Sequence, residues 1–84
     1  MAKYNVLVKI IPRAGLLDPA GQAVEKSLHS LGYTQAKAVN IGRLVSLQLD
    51  AENTRVASEL VIKMCDEMLV NPITEDYEFE VNPA

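Results

Sequence analysis

KAVNIGRLVSLQLD, residues 37–50, decides how many strands this chain builds. Leu44 to Asp50 alternates without a break, with Val45, Leu47 and Leu49 on one side of an extended segment and Ser46, Gln48 and Asp50 on the other. Lys37 to Ile41 is short and largely apolar, and Gly42-Arg43 offers a tight connection between the two runs. The stretch predicts a β-hairpin with strands at 37–41 and 44–50.

Working toward the N-terminus, Gly32 supplies a left-handed stop to a helix that starts at Asp18-Pro19, an N-cap carboxylate followed by a residue whose fixed φ suits the first turn. Val24, Leu28 and Leu31 repeat at helical spacing, with Ala20 and Ala23 beside them. A loop from Arg13 to Leu17 precedes it. Before that, Lys3 to Pro12 reads as a strand with Tyr4, Val6, Val8 and Ile10 facing one way and Asn5, Leu7, Lys9 and Ile11 the other. Pro12, without an amide hydrogen, should end its pairing.

Toward the C-terminus, Asn53 or Thr54 caps a second helix whose inward stripe is Ala57, Leu60, Val61, Met64 and Met68. Asn71-Pro72 stops it. Ile73 to Val81 closes the chain as a strand, with Tyr77, Phe79 and Val81 opposite Asp76, Glu78 and Glu80, and the last three residues are expected to fray. The order β-α-β-β-α-β predicts an α+β fold: a four-stranded antiparallel sheet with both helices on one face, the ferredoxin-like order, in a single domain over 1–84. The second sheet face is then open. Leu7, Ile11 and Leu44 are expected there near Lys9, too apolar for comfortable exposure, and a homodimer or higher oligomer would cover them.

Composition narrows the function classes. The 84 residues carry 8 Lys plus Arg against 11 Asp plus Glu, and 49% are apolar, which excludes a disordered chain. Charge is uneven: residues 1–42 hold five bases and two acids, residues 43–84 three bases and nine acids. Such an asymmetry favours directed contacts with other chains. A net charge of -3, no Trp and four aromatics in all argue against nucleic acid. No apolar run is long enough for a membrane helix. One Cys and no secretory leader point to a reducing, cytoplasmic setting.

Reactive groups are few. His29 is the sole histidine, so one chain cannot build a paired-histidine metal site, and it is expected at the rim of the first helix. Cys65, mid-helix and without a histidine or helix N-terminus beside it, reads as an inert, partly buried thiol. Asp76, Glu78 and Glu80 form a linear acidic row, which suits a solvated strand face better than a convergent cation site. Gly15, Gly21 and Gly42 do not make a phosphate loop, and Asp18 already fills the helix start with negative charge. The residues alone leave a small-ligand-binding regulatory module, acting as a homodimer, as an open alternative.

Residues 15–24 (GLLDPAGQAV), 28–33 (LHSLGY), 39–43 (VNIGR) and 71–77 (NPITEDY) together closely resemble the PurS family over nearly the whole chain. The family usually has glutamine where this chain has Ala20, and commonly lysine where it has Arg43. The resemblance implies an accessory, non-catalytic subunit of phosphoribosylformylglycinamidine synthase in purine biosynthesis. As a homodimer it would bridge a glutaminase subunit and a large ATP-dependent synthetase subunit and support ammonia transfer between them. It implies no cofactor held by this chain alone, with ATP and Mg used by the synthetase partner, and no catalytic residue here. Partner contacts are expected in turns and caps on a rigid sheet: Arg13, Leu16, Asp18, Gly42, Arg43, Asn71 and Pro72.

Overall fold

The computed structural model describes residues 1–15 and 18–84. Its elements are β1 (Ala2–Pro12), α1 (Pro19–Ser30), β2 (Arg43–Ala51), α2 (Thr54–Met64), which runs on through a π-helical turn at Cys65–Leu69, and β3 (Glu75–Pro83). The three strands form one antiparallel sheet in the order β2-β1-β3.

The alternation in β1 sets the core. Tyr4, Val6, Val8 and Ile10 are 0–7% exposed, pressed under α2 through Ala57, Val61 and Cys65. Tyr77, Phe79 and Val81 on β3 and Val45, Leu47 and Leu49 on β2 flank them, half-buried. Asn53 caps α2 by accepting from the Val56 amide at 2.9 Å. The π-helical turn then changes which residues face inward. Its wider turn lags behind the α-helical rotation. Met68, expected in the stripe, is turned out to 81% exposure, while Leu69 is half-buried and Val70 buried.

Two expectations fail here. Among the described residues the sheet has three strands and not four, and α1 does not share the sheet face with α2. The segment 37–41 is no strand because its backbone bonds to α1. His29 Nε2 donates to the Ala36 carbonyl at 2.7 Å, the Val39 amide donates to Glu25 Oε1 at 3.2 Å, and the Ile41 amide donates to Asp18 Oδ2 at 3.0 Å. Positions 18, 25 and 29 share one helix face. Residues 36–41 are thus strapped along α1, and Ala38, at φ +54°, breaks any extended run. No hairpin forms at Gly42-Arg43, and β2 is left as an edge.

The C-terminus departs from expectation in the other direction. β3 reaches Pro83, opposite Tyr4, and the Ala84 amide donates to the Lys3 carbonyl at 2.9 Å, so the last residues are paired. Asp18 caps α1 through the Gly21 amide at 3.1 Å, and Gly32 at φ +100° ends it as expected. Tyr33 and Gly32 amides donate to the Leu28 and His29 carbonyls, a Schellman closure.

Candidate functional site

Six of the seven expected contact residues gather at the C-terminal end of β1; Leu16 lies outside the described residues. Arg13 follows β1 directly. Its guanidinium donates to the Pro72 carbonyl at 2.9 Å and to Asp76 at 3.3 Å, and its amide to the Thr74 carbonyl at 2.8 Å. Arg43, at the start of β2, donates through Nη2 to the Leu69 carbonyl at 3.0 Å and to Glu75 Oε1 at 2.7 Å. Two arginines, one just after β1 and one opening β2, therefore clamp the loop between the π-helical turn and β3.

Inside that loop Asn71 Oδ1 accepts from the Ile73 amide at 3.0 Å, and Glu75 Oε1 accepts from the Asn71 amide at 2.8 Å. Both bonds hold a turn that Pro72 has already stiffened. The Asn71 amide, followed by the Arg43 pair, holds the Glu75 carboxyl below its ordinary range. Glu75 was legible only as one of several acids; its role needs the loop to close.

Asp18 and Gly42 form the root of the α1 arm. The amides of Ile41 and then Gly21 keep the Asp18 carboxyl below its usual range. A Cβ at Gly42 would collide with the Ile10 carbonyl, and one at Gly21 with the Val39 carbonyl, so both glycines are there for close backbone approach.

Other candidates have structural partners. His29 is half-buried, and because a carbonyl only accepts, Nε2 carries the proton. Burial, then the nearby Asp66 charge, raises the Cys65 thiol above its ordinary pKa, so the thiolate is scarce. The loop clamp and Cys65 border a cavity of about 440 Å³ that also meets Asp66 and Tyr77. Burial raises the Tyr77 hydroxyl as well. Among the described residues no three His, Cys, Asp or Glu side chains converge as metal ligands, and no helix is long and apolar enough to cross a membrane.

On the open sheet face, Leu44 sits opposite Lys9, with Leu7 and Ile11 two residues either side of Lys9 along β1. The apolar trio expected there does share a face. Asp76, Glu78 and Glu80 lie beside it on β3, and Glu80 pairs with Lys9 at 3.6 Å.

These features define the class first: a small, open α+β fold that, among the described residues, has a three-stranded antiparallel sheet and carries its first helix outside the core. The PurS model, described as phosphoribosylformylglycinamidine (FGAM) synthase, matches residues 5–83. The chain is 38% identical to the PurS subunit of this synthase from Synechocystis, covering 93% of this chain and 78% of that one. It is 37% identical to the Bacillus subtilis PurS subunit, covering 93% and 92%. A chain of the PurLQS structure from Thermotoga maritima superposes with a TM-score of 0.88 at 32% identity, over 96% of this chain and 99% of that one. Bacillus subtilis PurS superposes at 0.79 and 37% identity, covering 94% and 98%. The chain belongs to the PurS family, the small subunit of FGAM synthase.

Proposed function

We propose that this subunit works by position: as a homodimer it joins a glutaminase subunit to an ATP-dependent synthetase subunit and keeps their active sites in register for ammonia transfer. The observation that carries the reading is the match to a chain of PurLQS over nearly the full length of both chains. The side chains support it, since several ionisable groups are engaged in holding backbone: His29 and Glu25 on the strap, Asp18 on the arm root, Arg13, Arg43 and Glu75 on the loop. Confining a reactive intermediate between sites replaces free diffusion and limits its protonation by water. On this reading ATP and Mg are used by the synthetase partner, the chain itself holds neither, and the complex works in the cytoplasm. Arg13, Asp18, Gly42, Arg43, Asn71 and Pro72 shape the rigid end of β1 that a partner would grip.

Reconstitution tests this. The purified chain alone should hydrolyse neither glutamine nor ATP, and adding it to the glutaminase and synthetase subunits should switch on glutamine-dependent FGAM formation. Full glutamine-dependent activity without this chain would sink the reading.

A further inference from the structure

We infer that the cavity beside the π-helical turn seats a small organic ammonium, an aliphatic amine, held on the Asp66 carboxylate; this stands apart from the assembly reading above. The cavity measures about 440 Å³, inside the range of roughly 300–1,000 Å³ that small-ligand sites occupy.

The walls are built from fixed pieces. One is the π-helical turn at Cys65–Leu69, which widens the helix just where Cys65 and Asp66 meet the cavity. Such turns are rare and recur at functional sites. A second is the loop with Pro72, held by Arg13 on the Pro72 carbonyl and by Arg43 on the Leu69 carbonyl and Glu75. A third is Tyr77 on β3, half-buried, its ring stacked on Phe79 with 6.4 Å between centroids.

Charge selects the ligand. Asp66, Glu75 and Asp76 bring three carboxylates to the lining, against the single guanidinium of Arg13. Arg13 is spent on Asp76 at 3.3 Å, and Arg43 answers Glu75 at 2.7 Å. Asp66 has no ion-pair partner among the described residues, so one negative charge is left over. An anion is disfavoured there. The carboxylates also do not converge on a point: among the described residues no three His, Cys, Asp or Glu side chains gather as metal ligands. Acids spaced around a cavity suit an extended organic cation better than a metal ion, which needs several oxygens at one centre.

The uncharged lining fits the rest of such a ligand. Val70 and Cys65, both buried, offer apolar surface to methylene groups, and the Tyr77 ring attracts a nearby cation. Burial raises both the Cys65 thiol and the Tyr77 hydroxyl, and the Asp66 charge adds to the rise in each, so both groups stay neutral beside the carboxylate. An ammonium has three donors and no acceptor, which matches a site whose uncommitted groups are a carboxylate and a phenol.

The test titrates the isotope-labelled chain with putrescine and follows its amides by NMR, with magnesium chloride at the same concentrations as a control for divalent charge. Saturable shifts are expected at Asp66, Val70 and Tyr77, with a dissociation constant of about 1 mM or tighter, while Val39 and Ile41 on the arm stay in place. Asp66 is exposed, so Asp66→Asn spares the fold, and it should weaken binding by roughly tenfold or more. Glu67→Gln removes the same charge from the next residue, outside the cavity, and should change binding by less than about twofold. Equal shifts with magnesium, shifts that never saturate, or equal losses in the two variants would each reduce the effect to general charge screening and overturn the site. None of these results touches the homodimer or its partners, since neither depends on the cavity.

Discussion

The body and the α1 arm of this chain are held by different forces. The body is apolar: Val6, Val8, Ile10, Ala57, Val61 and Cys65 are 0–1% exposed, and α2 is fixed by what it buries. The arm is polar: α1 and residues 36–41 are zipped by three side chain-to-backbone bonds, while the apolar stripe of α1 faces water. A helix can therefore be well formed without being packed. Its caps and strap specify the conformation, and Val24 and Leu31 on its apolar face stay exposed.

The contrast sharpens most in stability. Ile10→Ala should destabilise the dilute protomer by about 2–5 kcal/mol, whereas Leu31→Ala should stay within about 0.5 kcal/mol, as read by denaturant unfolding. Similar losses for both would mean that α1 is part of the protomer core. At the seam between the regions, Gly42→Ala pushes a methyl at the Ile10 carbonyl, and roughly 1–3 kcal/mol of destabilisation is expected in the same assay. Gly21→Ala should act only on the arm, because the clash is with the strap: hydrogen exchange at Val39 and Ile41 should quicken while Val6 and Val8 are unchanged.

The smallest effect is in pH. The Asp18 carboxyl is held below its ordinary value of 3.8 in the folded chain, so the stabilisation it brings is present above that value and is lost as pH falls through the lower folded value. Corrected for intrinsic rate, exchange of the Ile41 amide should therefore rise in strong acid ahead of the β1 amides. Asp18→Asn should raise it already at neutral pH and remove the acid step. An acid step that survives in Asp18→Asn would assign the effect to another carboxylate.

The legible parts of this fold were those governed by local rules. Alternation in β1, β2 and β3, the Asp18-Pro19 and Asn53 caps and the Gly32 stop all read correctly because each depends on neighbours in sequence. Residues 37–41 misread because short apolar runs suit a strand as well as a strap, and the choice was made by Asp18, Glu25 and His29, far away in the chain. Met68 misread because the π-helical turn changed the helical period within the stripe. For the site, Arg13, Arg43, Asn71 and Pro72 could be singled out as turn residues, but their meeting around one loop required the sheet register that brings the ends of β1 and β2 beside β3.

Hydrogen exchange across a concentration series tests most directly the homodimer on which the proposed function rests. Amides of Val24 and Leu28 should gain protection in step with dimer formation, while those of Val6 and Val8 are slow at every concentration. Full protection of α1 in solutions dilute enough to hold only monomer would contradict the account.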